Sequence, residues 1–363
     1  MPSVHVELGE NSYPIIVEQG ILSQVGELIR PKTKSDKVIV IADGFVSKQY
    51  GTLVLESLSN VGFDSRIIDV PPGEAQKSME WFARLHDQLI AHRVDRVSTL
   101  ITLGGGVVCD LGGFVAATHL RGIPYIQIPT TLLAQVDASI GGKTAVNHPK
   151  GKNLIGAFYQ PKMVLIDVEI LQTLPSRDMR AGLIEVIKAG VIMDAPLFDQ
   201  VENNLDAILT LDATVLIDVI AKSCADKAYV VENDEKENGL REILNYGHTF
   251  GHALEALTDY DTYRHGEAVA IGMNCAAQLA VSLDMMEAAD WKRQRALLQR
   301  AKLPVQFPPD ISPEKIIETM YLDKKTKRGK LRLILPTRIG EVIVRNDVVE
   351  PQIAEAISQC TKN

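Results

Sequence analysis

"LITLGGGVVCDLGGFVAA", residues 100–117, carries the reading of the fold. A short apolar run, Leu100 to Leu103, meets three glycines at once, Gly104, Gly105 and Gly106, and an apolar stretch of helical length follows. A strand that ends in glycines and passes straight into a helix is the connection of a parallel α/β sheet. Its backbone N–H groups are placed to meet a pyrophosphate. The spacing is not GxGxxG, because Cys109 stands where the last glycine would be. Taken alone, the turn is also compatible with a tight connection that binds nothing.

Working outward, "KVIVIAD" (37–43), "VSTLITL" (97–103), "YIQIPT" (125–130) and "MVLID" (163–167) read as buried strands bounded by glycine, proline or a charge. "SKQYGTLVLESLSN" (47–60) and "SMEWFARLHDQLIAH" (78–92) between them have helical periodicity. Strands spaced by helices predict a mostly parallel, Rossmann-like sheet with helices on its faces. Beyond "TLPSRDMRAG" (173–182) the pattern turns helical, over 178–193, 196–209, 212–232, 242–258, 266–283 and 287–301. No strand is expected between 183 and 328, and "KLRLILP" (330–336) with "GEVIVR" (340–345) suggests a late hairpin. The expected organisation is an NAD-binding α/β domain, 1–175, followed by a mainly helical metal- and substrate-binding domain, 176–363.

Composition narrows the function. The chain of 363 residues is 46% hydrophobic, enough for two cores. A formal charge of −8 argues against non-specific nucleic-acid binding, so an anionic ligand needs a local cluster of cations. Cys109, Cys224, Cys275 and Cys360 form no CxxC pair, as expected of reduced residues in a cytoplasmic protein. The first residues, "MPSVHVELGENSYP", lack the plan of a secretory signal, and no apolar run approaches the ~20 residues that span a membrane.

Three sets of residues point to chemistry. Asp43 ends the strand "VIVIAD", where an acid can accept both ribose hydroxyls and favour NAD over NADP, and "PPGEAQKS" (71–78) brings Glu74 and Lys77 to another strand end. "DASIGGKTAVNHPKGKNLIGAFYQP" (137–161) is read as a loop whose Lys143 and Lys152-Asn153 follow glycines, a pattern suited to an anion. Ile140, Val146, Leu154, Ile155 and Phe158 are expected to tie that loop to a core. Finally, "NYGHTFGHALE" (245–255) places His248 and His252 on one helical face, and His265 opens "HGEAVAIGM". Glu185 lies among Leu183, Ile184, Val186 and Ile187, so its carboxylate wants a cation, either a metal or Lys188. Spacing alone selects His248 and His252 as a metal pair. Two histidines with one carboxylate and open positions make a catalytic zinc set.

Together these stretches resemble the 3-dehydroquinate synthases, NAD- and metal-dependent cyclases of the shikimate pathway. The resemblance runs over residues 35–336 and is most specific in "GGGVVCDLGGFVAATHLRG", "IPTTLLAQVDASIGGKTAVNHPKGKNLIGAF", "RAGLIEVIKAG", "DEKENGLREILNYGHTFGHALE" and "HGEAVAIGM". Cys109 departs from the family's usual glycine. The resemblance implies Glu185, His248 and His265 as ligands of zinc or cobalt, with His252 turned to the substrate. It implies Lys143, Asn153, Lys188, Lys227, Glu237, Arg241, Asn245 and one of Lys324 and Lys325 (Lys325 by preference) around a sugar phosphate. Arg121 is expected to reach the phosphate from the partner subunit of a homodimer. Asp43, Glu74, Lys77, Gly105, Gly106, Asp110, Thr130, Thr131, Lys143, Lys152 and Thr173 are expected to surround NAD. The implied reaction turns 3-deoxy-D-arabino-heptulosonate 7-phosphate into 3-dehydroquinate and phosphate. It passes through transient oxidation at C5, phosphate elimination, re-reduction and intramolecular aldol closure. An inosose or valiolone synthase, or a metal-dependent polyol dehydrogenase, is the alternative.

Overall fold

The computed structural model describes residues 3–259, 261–322 and 331–361. They form two compact units, one of residues 1–174 with 216–232, the other of 175–215 with 233–363.

The first unit is built on a seven-stranded sheet. Its strands are β1 (Ser3–Val6), β2 (Tyr13–Glu18), β3 (Lys37–Asp43), β4 (Asp64–Val70), β5 (Thr99–Gly104), β6 (Tyr125–Pro129) and, after a hairpin described below, β9 (Val164–Asp167). The order is β1-β2-β9-β6-β5-β3-β4, antiparallel only between β1 and β2. The apolar runs are continuous because both faces are covered. In β3, Val38, Val40 and Ala42 enter one hydrophobic cluster while Ile39 and Ile41 enter the other. The same alternation sends Ile101 and Leu103 of β5 to the first cluster and Leu100 to the second. The helix opened by the glycines is α1 (Gly106–Thr118). The N-terminal hairpin β1–β2 was not signalled, since its half-buried alternation is only a few residues long.

Residues 137–161 differ from the loop expected there. They contain an antiparallel hairpin, β7 (Lys143–His148) with β8 (Gly151–Phe158), in which Lys143 faces Phe158 and Val146 faces Ile155. Ile140 and Val146 are buried and Ile155 packs against the second cluster, but Leu154 and Phe158 are 42% and 45% exposed. The period of two accounts for this, because 154 and 158 share the face opposite to 155.

The second unit is mainly helical, with α2 (Ser176–Ile192) first. The pattern at 196–209 breaks at Asn204 into Ala195–Asn203 and Leu205–Leu209. That at 242–258 breaks at Gly247, whose φ of +79° separates a 3-10 turn, Leu240–Asn245, from the next helix. Between these elements runs α3 (Ala213–Asn233), and after them α4 (His248–Leu257) and α5 (His265–Ser282). The hairpin β10 (Leu333–Arg338) and β11 (Glu341–Arg345) closes in antiparallel register, as expected. A single boundary near 175 does not describe α3. Its residues 216–232 join the first unit, where Cys224 Sγ donates to the Gln135 carbonyl at 3.5 Å and Lys227 pairs with Asp137.

Helices α4 and α5 approach closely through glycine. A Cβ on Gly272 would lie 2.0 Å from the Gly247 carbonyl oxygen, a backbone atom that has no easy way to retreat. Gly272→Ala is expected to cost about 1–3 kcal/mol by overpacking, read as a lower urea midpoint. An unchanged midpoint would show that the helices can separate without penalty.

Candidate active site

In the first unit, the strand order reverses at β3 and β5: β4 lies beside β3, whereas β6 and β9 continue on the side of β5. Ligands of open α/β sheets bind at the carboxyl ends of strands at such a point. Asp43 ends β3 there, and its Oδ1 accepts from the N–H groups of Phe45 at 2.9 Å and Val46 at 3.3 Å. Gly104 ends β5, Gly105 is the N-cap of α1, and Gly106 begins it. A Cβ on Gly105 would press on Thr131 at 3.0 Å. The Thr131 hydroxyl accepts from the Ala134 N–H at 3.2 Å, and the neighbouring Thr130 Oγ1 is buried with no hydrogen-bond partner. Lys77, which is buried, and Asp110, which is partly buried, form an ion pair behind this turn. Burial pushes the Asp110 carboxyl above the usual carboxylate range, against the pull of Lys77. Glu74 accepts from Asn147 Nδ2 at 2.7 Å, and Thr173 Oγ1 lies 3.1 Å from the Tyr50 hydroxyl. Cys109 is buried, with Sγ donating to the Gly104 carbonyl at 3.6 Å, so it packs under the turn.

The cationic residues of this unit occupy the hairpin and two other elements. Lys143 starts β7 and is exposed, Lys152 lies in β8, and Asn153 adopts φ +55° with its N–H donated to Asn147 Oδ1 at 3.0 Å. Arg121 is exposed with φ +70°, just after Leu120 at φ +49°. Lys227 of α3 is buried, and its ammonium donates to both the carbonyl and the carboxylate of Asp137. Sequence reading missed Asp137 as a partner, and nothing local links it to a lysine 90 residues away.

In the second unit, α4 carries His248 and His252 one turn apart, and α5 begins with His265. One ligand atom from each of the three lies within 4.8 Å of the others. Ring centroids are 5.3 Å apart for 248 and 252, 5.2 Å for 248 and 265, and 5.8 Å for 252 and 265. His248 Nδ1 is 3.1 Å from the Tyr246 carbonyl oxygen, which only accepts, so Nδ1 carries the proton and Nε2 is the nitrogen that could hold a metal. His265 Nδ1 is 3.0 Å from Glu255 Oε2. Glu185 and Lys188 are both buried and paired through Oε2, as one of the two readings anticipated. The other oxygen, Oε1, is buried with no hydrogen-bond partner. Glu185 is outside the group of three defined by the histidines, and His252 is inside it. A group of imidazole nitrogens is a donor set that fits a divalent ion such as zinc or cobalt.

Three further residues stand near this set in sequence. Arg241 is fully buried, its Nη1 donating to the Glu235 carbonyl at 2.6 Å and its N–H to Asp234 Oδ2 at 3.0 Å. Asn245 Nδ2 donates to Glu237 Oε1 at 3.2 Å, and Glu237 has φ +58°. Lys324 and Lys325 lie outside the described residues. Glu255 was not anticipated, although its spacing signals it: 248, 252 and 255 follow the i, i+4, i+7 stripe of one helical face.

Comparison with known proteins finds relatives along nearly the whole chain. Residues 67–181 match the family described as 3-dehydroquinate synthase N-terminal, and residues 182–326 the one described as 3-dehydroquinate synthase C-terminal. A 3-dehydroquinate synthase of Desulforamulus reducens is 50% identical over 359 residues, 99% of this chain and 100% of that protein. Among solved structures, 2-epi-5-epi-valiolone synthase from Streptomyces hygroscopicus subsp. jinggangensis, with NAD+ and Zn2+ bound, has a TM-score of 0.89 at 27% identity, covering 98% of each chain. A 2-deoxy-scyllo-inosose synthase complexed with carbaglucose-6-phosphate, NAD+ and Co2+ has a TM-score of 0.88 at 27% identity, covering 99% of this chain and 100% of that one.

Proposed function

The chain belongs to the 3-dehydroquinate synthase family, and we propose that it performs that family's reaction with NAD at the β3 and β5 strand ends and a divalent metal on His248, His265 and Glu185. The reaction converts 3-deoxy-D-arabino-heptulosonate 7-phosphate to 3-dehydroquinate and phosphate. Identity of 50% along the whole chain favours this substrate over those of the cyclases that match at 27%. The grouping of the histidines within 4.8 Å supports a metal at His248 and His265, and the buried Glu185 Oε1 without a hydrogen-bond partner supports the carboxylate ligand.

When bound, NAD supplies a reversible hydride acceptor for C5, and the metal makes the hydroxyl there more acidic. The chain's own residues do the rest. Asp43 selects the ribose end of the nucleotide, and the Gly105 and Gly106 amides hold its pyrophosphate with Thr130 and Thr131 beside them. The Lys77–Asp110 pair keeps the turn in place. Lys143, Lys152 and Asn153 offer cations and amides to anionic groups, a local reversal of the chain's negative charge. Arg241 suits the substrate carboxylate because a fixed guanidinium can bind it through two parallel hydrogen bonds. Glu237 and Asn245 complete its surroundings. His252 moves the proton at the oxidised hydroxyl, work for an imidazole, which can accept a proton at one nitrogen and donate one from the other.

The proposal extends to assembly and location. The chain forms a homodimer in which Arg121 serves the phosphate site of the other subunit. All four cysteines are free and buried, as suits a reducing cytoplasm. No helix among the described residues is long and apolar enough to cross a membrane.

The test is a turnover count with heptulosonate phosphate, metal and limiting NAD. Phosphate released should exceed the NAD supplied many times over, with no NADH accumulating. Stoichiometric NADH would indicate a polyol dehydrogenase instead. Equal turnover of a sugar phosphate lacking the carboxylate would favour an inosose or valiolone synthase.

A further inference from the structure

Glu255 belongs to none of the sets assigned above, yet the residue is only 4% exposed and its Oε2 lies 3.0 Å from Nδ1 of His265. It sits two turns along α4 from His248, so one helix supplies both a ligand and the group that holds the other ligand. We infer that Glu255 is a positioning residue for the metal centre, fixing His265 as the Nδ1–H tautomer so that Nε2 is the ligand nitrogen. The inference rests on the reading that His248 and His265 hold the metal.

Charge gives the carboxylate a second role. The two ligand histidines are oriented by unlike acceptors, His248 by the neutral Tyr246 carbonyl and His265 by an anion. An anionic acceptor raises the basicity of the ring it holds and strengthens its bond to a cation. The only carboxylate in the expected ligand set, Glu185, is already paired with the Lys188 ammonium. Its charge is therefore shared, and a doubly charged ion needs another anion close by. Glu255 supplies it one atom layer out, without occupying a position the substrate uses.

The experiment measures metal affinity on the full-length protein by competition with a chelator, alongside the visible spectrum of the cobalt form. Glu255→Gln keeps an acceptor of the same shape and removes the charge, whereas Glu255→Ala removes both. Affinity should fall about 10-fold in the glutamine variant and up to about 100-fold in the alanine variant. The cobalt spectrum should be retained in the first and shifted in the second. Should Glu255→Ala fail to fold, Glu255→Gln decides through its affinity, with NAD binding as the check that the protein is intact. Unchanged metal affinity, even with lower thermal stability, would overturn the inference and leave Glu255 a packing residue. His265→Ala is run in parallel. If it loses metal while both Glu255 variants keep theirs, only the inference falls; if it too keeps metal, the reading of the metal centre falls with it.

Discussion

His248→Ala is expected to come off the column without metal and without measurable turnover, whereas His252→Ala keeps its metal and loses only turnover. All three histidines are near enough to share an ion, so proximity does not separate them. Ligand number does. In the assignment proposed above His248, His265 and Glu185 make three, and a catalytic ion keeps positions open for substrate oxygens. A fourth protein ligand would close the site. His252 then acts on a proton, and its loss should lower kcat about 10²–10⁴-fold with NAD binding and metal content retained. Metal content by emission spectrometry and steady-state kinetics on both variants check this. If His252→Ala is purified without zinc, the ion sits among three imidazoles, and Glu185 belongs to Lys188 alone.

Lys77→Met should lower both stability and NAD affinity, through the acid it leaves behind. The side chains of Lys77 and Asp110 are 6% and 16% exposed. Removing one member of a buried pair strands the other, typically at a cost of about 3–5 kcal/mol. Burial already holds the Asp110 carboxyl high, so without the ammonium it takes up a proton and the N-terminal turn of α1 loses its anchor. Replacing both residues, Lys77→Met with Asp110→Leu, should recover most of the stability, since no unpaired charge remains. NAD affinity should not return with it. Denaturation midpoints and NAD titrations on the single and double variants provide the comparison. A single variant as stable as the parent would mean that water reaches Asp110 in place of the lysine.

The sheet was legible because its signal is local: apolar runs such as Val38–Ala42 need no partner to be recognised, and glycines punctuate their ends. The positions of Asp43 and Gly104–Gly106 followed from the same signal. The hairpin at 143–158 was hidden by its glycines and lysines, which read as loop chemistry, and the exposure of Leu154 and Phe158 depended on a register visible only once the strands pair. In the histidine cluster the residue types were legible, but their hydrogen-bond partners were not. The Tyr246 carbonyl has no signature in a sequence, since every residue has one. Glu185 was ambiguous from the start, and the structure keeps both features in play by pairing one oxygen with Lys188 and leaving the other without a hydrogen bond.

The path of α3 bears on how the protein is made. The strands of the first unit are complete at Asp167, yet the unit also needs residues 216–232. At about 5–20 residues per second, synthesis passes from the last strand to Lys227 over on the order of several seconds. During that interval Asp137 waits without its ammonium and the surface that receives Cys224 stays open. A chaperone that recognises nascent chains has its target then, on the first unit. A gene cut at 175, or at the 181/182 junction where the two family matches meet, would make that transient state permanent. A fragment ending after Asn233 would keep that helix, but it would carry residues 175–215 of the second unit without the rest of their core.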